Sequence, residues 1–154
     1  KNLDISRKQA KEFIDEYFDQ YPGIQAYMDQ AVKDAREKGY AETIMHRRRY
    51  LPDIHAKNFN VRSFAERTAI NSPIQGSAAD IMKIAMINMQ KKLDELELKT
   101  KMVVQVHDEL IFDVPADELE TIQKIVPSVM QAAVKLDVPL VADAGWGHDW
   151  YEAK

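Results

Sequence analysis

Apolar residues recur at helical spacing over most of the chain and at alternating spacing in a few short runs. Ser6 stands where an N-cap belongs. Ala10, Phe13, Ile14, Tyr17 and Phe18 follow three or four apart, which predicts an amphipathic helix. Tyr21-Pro22-Gly23 closes that helix and opens a second. Its stripe is Ile24, Tyr27, Met28, Ala31, Val32 and Ala35, and Gly39 marks its end. So tight a join predicts an antiparallel helical pair. Over residues 40–52 the period changes. Thr43, Ile44, Tyr50 and Leu51 flank His46-Arg47-Arg48-Arg49, which predicts a short β-hairpin or an extended loop, and 53–60 reads as a loop.

Residues 61–71 return to the helical period. Pro73 lacks a backbone N–H and predicts a kink or a split. A helix over 74–96 follows, with Ala78, Ile81, Met82, Ala85, Met89, Leu93 and Leu96 inward; Gly76, Ser77, Ala78 and Ala79 permit close approach of another backbone. Two alternating apolar runs, 102–106 and 110–114, are separated by His107-Asp108-Glu109. They predict a β-hairpin with a polar three-residue tip. On its first strand Met102, Val104 and Val106 point one way, and Val103, Gln105 and His107 the other. Pro115 stops the second strand. A helix over 117–136 turns Leu119, Ile122, Val126, Val129, Met130 and Ala133 inward, with Pro127 bending it. Residues 140–144 suit a last strand before a turn-rich aromatic end. The whole reads as α+β: an antiparallel sheet with a β-hairpin packed on long helices, after a helical segment.

Composition narrows the class. The 154 residues are 45% hydrophobic and 30% charged, which suits one domain or a piece of a larger one. There is no cysteine, so disulfides, a zinc ribbon and a cysteine nucleophile are excluded. No apolar run approaches the ~20 residues of a membrane span. With no signal peptide, the expected setting is cytoplasmic, with no membrane partner. Lys1 opens a strongly helical pattern, as a chain starting inside a longer protein would. The net charge is −4. Between His46 and Arg67, six Lys and Arg face two acids, so that stretch carries +4 and the remainder −8. A basic segment on an acidic body suits a local polyanion contact, or a solvated basic hairpin.

Two constellations carry candidate chemistry. Asp108 and Glu109 are adjacent carboxylates at a turn, where strand alternation resets and both can approach one ligand. A divalent cation would relieve their repulsion; an exposed acidic turn is the plainer alternative. Ser63, Arg67, Asn71 and Gln75 recur every fourth residue, on one ridge of a helix. Arg offers charge to phosphate, and Asn and Gln can hydrogen-bond base edges or sugars. The alternative is a solvent face, although such faces usually mix Lys and Glu and this ridge has neither.

The string from Arg62 to Asp80, Arg-Ser-Phe-Ala-Glu-Arg-Thr-Ala-Ile-Asn-Ser-Pro-Ile-Gln-Gly-Ser-Ala-Ala-Asp, followed by Gln-Val-His-Asp-Glu at 105–109, closely resembles the C-terminal part of bacterial family A DNA polymerases of the DNA polymerase I type. The His-Arg-Arg-Arg-Tyr-Leu-Pro-Asp-Ile segment and the closing Trp150-Tyr-Glu-Ala-Lys fit as well, so the resemblance covers essentially the whole chain. It implies the end of the fingers over 1–60 and the end of the palm over 61–154. It makes Asp108 a catalytic metal ligand for Mg²⁺ and Glu109 its acidic neighbour, with His107 against the primer end. Arg67, Asn71 and Gln75 line the primer–template duplex, and Arg62 is a further backbone contact. Implied partners are primer–template DNA, deoxynucleoside triphosphates and the rest of the polymerase chain, in a monomer. The family's first metal-binding aspartate and its nucleotide-binding fingers helix lie upstream of Lys1, so the segment alone is expected to be inactive. Two rival readings remain. A non-enzymatic duplex-binding module would bind DNA whether or not Asp108 is intact. A metal-dependent nuclease would need further ligands near Asp108, and His46, His55 and His148 show no ligand spacing.

Overall fold

In a computed structural model that describes residues 6–153, Ser6 caps α1 (Arg7–Gln20). Its hydroxyl accepts from the Gln9 N–H, and the Gln9 side chain accepts from the Ser6 N–H, closing a capping box. α2 (Pro22–Lys38) starts on a proline at its first turn. It stops at Gly39, whose φ of 78° lets its N–H reach the Ala35 carbonyl. Both predicted helices form. No described residue of α1 is buried, and Phe13, Ile14 and Tyr17 stand exposed. Periodicity establishes a stripe and says nothing of what covers it.

β1 (Tyr40–Glu42) and β2 (Arg48–Tyr50) form the predicted hairpin, antiparallel, with Ala41 opposite Arg49. A 3₁₀ turn (Pro52–His55) takes up the start of the expected loop and buries Ile54. Ile54 joins Ala35, Ala41, Leu51, Ala65 and Ala69 in a core rich in alanine, where backbones come close.

α3 (Phe59–Glu95) is not split at Pro73, one of the two outcomes expected there. It is one helix of 37 residues with the proline inside it. A proline removes one hydrogen bond and crowds the carbonyl four residues back, but the turns on either side still propagate. Within the disturbed turn, the Ile70 carbonyl accepts a hydrogen bond from the Tyr27 hydroxyl at 2.9 Å, which ties α2 to α3. The chain divides into two compact units, Lys1–Ile74 and Gln75–Lys154.

In the second unit α3 turns Ser77, Asp80, Ala85, Met89 and Leu93 inward, while Ala78 and Leu96 lie exposed against expectation. β3 (Lys101–Val106) pairs antiparallel with β4 (Glu109–Asp113). α4 (Leu119–Gln131) is shorter than predicted and keeps Pro127 within it. Its Ile122 and Val126 complete a core with Met89 and Leu93, flanked by Phe112, Val114 and Val129. Residues 140–144 form no strand. Among the described residues both sheets have two strands only, so this segment has no ladder to join. The Ala142 carbonyl accepts instead from Gln131 Nε2.

Candidate functional site

The β3–β4 register sets the turn. Val106 pairs with Glu109, so the tip is His107-Asp108, one residue shorter than expected, and Glu109 is the first residue of β4. His107 adopts φ 52°, in the left-handed region. Two-residue hairpin loops call for positive φ, usually supplied by Gly or Asn, and another residue there costs roughly 1 kcal/mol. Gln105 Nε2 donates to the His107 carbonyl at 2.7 Å, bracing the tip from within its own strand. A bulge also corrects the alternation. Met102 faces Phe112 but Val104 faces Ile111, so Val103 is the extra residue, and Met102 and Val104 lie on opposite faces. Met102 is accordingly half-buried beside Phe112, and Val104 is exposed.

His107, Asp108 and Glu109 are thus brought together and all three are exposed. Neither carboxylate has a hydrogen bond or ion pair among the described residues. Hard carboxylate oxygens suit Mg²⁺, which prefers six oxygen ligands and keeps several as water or phosphate. Among the described residues no group of three or more His, Asp or Glu could close a metal site. The turn therefore fits as part of a ligand set completed by other groups.

Because α3 is continuous, Ser63, Arg67, Asn71 and Gln75 keep their spacing of four through Pro73. Arg67 Nη1 donates to Ser63 Oγ at 3.0 Å, and Arg67, Asn71 and Gln75 are exposed. Arg62 is placed differently. Its Nη1 donates to the Ala56 carbonyl at 2.9 Å, its guanidinium lies over the Phe59 ring, and its Nε is 3.8 Å from Glu66. Glu66 in turn accepts from Arg36 of α2 at 2.6 Å. Arg62 thereby ties the loop before α3 to its first turn.

The basic hairpin is partly neutralised from within. Glu42 receives Arg48 Nε at 3.2 Å and His46 Nδ1 at 2.8 Å, and Arg48 lies over the Tyr40 ring. The His46 contact, then Arg48, holds the Glu42 carboxyl below the usual range. Sequence reasoning missed Glu118. It is buried, and its carboxylate accepts from the N–H groups of Lys99 and Thr100 and from the Thr100 hydroxyl. The available signal was an acid in the first turn of a predicted helix and a threonine just ahead of a predicted strand.

The model of the family described as DNA polymerase family A matches residues 1–152. DNA polymerase I of Lactococcus lactis subsp. cremoris (strain MG1363) is 60% identical over 154 residues, covering 100% of this chain and 18% of that protein. DNA polymerase I of Bacillus subtilis (strain 168) is 56% identical over 153 residues, 99% of this chain and 17% of that protein. A solved structure, the POL domain of Pol1 from M. smegmatis in complex with DNA primer-template and dNTP, is similar with a TM-score of 0.94 and 44% identity. It covers 97% of this chain and 26% of that one. The chain therefore spans less than a fifth of the length of these two curated relatives. Among the described residues, no helix is long and apolar enough to cross a membrane. A family match over 152 residues, with high identity from end to end, decides the matter: the chain belongs to DNA polymerase family A.

Proposed function

We propose that the chain is the C-terminal part of a cytoplasmic, monomeric DNA-directed DNA polymerase, with fingers over residues 1–60 and palm over 61–154. The whole enzyme adds deoxynucleotides to a primer 3′-hydroxyl, which attacks the α-phosphate and displaces pyrophosphate. The observation that carries this reading is the exposed, unneutralised Asp108–Glu109 pair, at the tip and the first strand residue of the β3–β4 hairpin, in a chain of this family. Asp108 would hold Mg²⁺ together with an aspartate outside these 154 residues, with Glu109 as its acidic neighbour. The metal, when bound, supplies charge stabilisation to the attacking and leaving oxygens. His107 lies at the primer end. Arg67, Asn71 and Gln75 follow the duplex along their ridge, Arg67 by charge and Gln75 by hydrogen bonds to minor-groove acceptors. Those acceptors are similar on every base pair, so they report pair shape rather than sequence. Arg62 contacts the DNA backbone near the start of α3. The M. smegmatis neighbour, solved with primer-template and dNTP, supports the choice of partners.

In the full-length polymerase, Asp108→Asn should lower single-turnover nucleotide addition by about 10²–10³-fold while primer–template binding persists. Near-wild-type addition would sink the metal assignment, and the duplex-binding module would then stand. Arg67→Ala should weaken binding to all sequences and reduce the salt slope by about one. Gln75→Ala should lower extension and change the penalty for a mismatched primer end, with less effect on salt dependence. Two mutants that behave alike would make the ridge a solvent face. The 154-residue segment by itself should show no templated synthesis.

A further inference from the structure

Glu118 has no place in the chemistry above, yet it is among the few buried charged residues, 8% exposed, at the N-cap of α4. Its carboxylate accepts from the Lys99 N–H at 2.7 Å, the Thr100 N–H at 2.8 Å and the Thr100 hydroxyl at 2.6 Å. Those donors, the Thr100 hydroxyl foremost, hold it ionised below the usual carboxylate range. Thr100 is itself buried, and the next residue, Lys101, begins β3. The helix behind Glu118 is seated by Ile122 and Val126 in the core of the second unit. The carboxylate therefore joins a fixed body to the root of the strand that ends at the His107-Asp108 turn.

We propose that Glu118 is a positioning residue for the Asp108 turn, its carboxylate setting the root of β3 and hence where the tip comes to lie. The proposal rests on the reading of Asp108 as a metal ligand. β3 has six residues, roughly 20 Å of strand, and is laddered to β4, so the hairpin moves as a unit. An angular error at its root is carried to its tip. A misplacement of about 1 Å at a reacting centre can cost about 10²-fold in rate. Glutamine at 118 keeps the shape but turns an NH₂ toward one of three donors, so at least one bond is lost and two donors face each other.

The test uses the full-length polymerase and reads kcat, KM for primer–template and the Mg²⁺ concentration giving half-maximal rate. Glu118→Gln should lower kcat about tenfold and raise the Mg²⁺ requirement, with KM for primer–template unchanged. Thr100→Val, which removes one bond, should shift the same two quantities less, and Thr100→Ser, which keeps the hydroxyl, should restore them. A folded Glu118→Gln enzyme with wild-type kcat and Mg²⁺ requirement overturns the proposal, even if its melting temperature falls. A loss confined to KM overturns it too. If Glu118→Gln does not fold, Thr100→Val decides, and wild-type values there are fatal. Asp108→Asn run alongside separates the two readings. Wild-type addition by that variant sinks the metal assignment and this proposal with it. An inactive Asp108→Asn beside an unaffected Glu118→Gln removes only the positioning role.

Discussion

The two hairpins share a backbone feature and differ in charge. Each places a histidine in the left-handed region at its turn, His46 at φ 61° and His107 at φ 52°. The β1–β2 loop is closed on itself: the Thr43 N–H bonds to the Arg47 carbonyl, the His46 N–H to the Thr43 carbonyl, and Thr43 Oγ1 accepts from Met45 and Arg47. Its one carboxylate, Glu42, is engaged by Arg48 and His46. The β3–β4 tip has two carboxylates and no cation to meet them among the described residues. Turn geometry therefore does not mark a site. What separates the two hairpins is charge: Glu42 has partners within its own hairpin, whereas the carboxylates of Asp108, proposed above as a metal ligand, and Glu109 have none among the described residues.

The largest expected difference lies in activity. Glu42→Gln in the full-length polymerase should leave nucleotide addition within about twofold, against the 10²–10³-fold loss for Asp108→Asn. Extension by both variants at saturating primer–template checks it. A Glu42→Gln enzyme as impaired as Asp108→Asn would erase the distinction between a self-satisfied turn and an open one.

Next comes the metal itself. Paramagnetic Mn²⁺ added to the polymerase in place of Mg²⁺ should broaden amide signals of His107, Asp108 and Glu109 and spare those of Glu42 to Arg48. Hard oxygen sites accept either ion, whereas the Glu42 carboxylate is already occupied. Broadening of Glu42 to Arg48 that persists in Asp108→Asn would mean that the internal ion pairs do not exclude a cation.

How much of this was legible in the sequence depends on how local the deciding interaction is. The Ser6 cap, the stop at Gly39 and the Asp108 turn rest on residues a few positions apart, and each forms where the pattern puts it. Pro73 does not split α3, because its local preference is outweighed by the long helix around it, with Tyr27, 43 residues earlier, bonding to the Ile70 carbonyl. The Val103 bulge inverts half of a strand's alternation without any Gly or Pro to announce it. Residues 140–144 have strand chemistry but no partner strand, and strands exist only in pairs. Glu118 was missed because its three donors lie 18 and 19 residues away, too far for its position near a helix start to identify them.

Acid should separate the hairpins more subtly. The Glu42 carboxyl is held below its usual range, by His46 and then Arg48, so its stabilising contacts are complete above the ordinary glutamate value of about 4.3 and are lost as pH falls through the lowered one. Exchange protection of the Thr43 and His46 amides should therefore persist at neutral pH and drop under strongly acidic conditions, and Glu42→Gln should remove that pH dependence. A dependence unchanged in Glu42→Gln would show that other groups hold the loop.

The smallest effect concerns the two histidines. Glycine adopts positive φ without the roughly 1 kcal/mol cost that histidine bears there, but it also loses more freedom on folding, by a comparable amount. His46→Gly and His107→Gly should therefore each move the melting temperature of the polymerase by no more than about 3 °C. His46→Gly also gives up the exposed contact to Glu42, which contributes little in water. The two variants part company in function. His46→Gly should extend primers as the wild type does. His107→Gly keeps the turn and its Gln105 brace to the backbone carbonyl, yet removes the side chain proposed to lie at the primer end. It should slow addition while leaving the Mg²⁺ requirement in place. Melting curves beside single-turnover extension decide the matter: equal activity in the two variants would reduce His107 to a turn former like His46, and the difference between the hairpins would then rest on the two carboxylates alone.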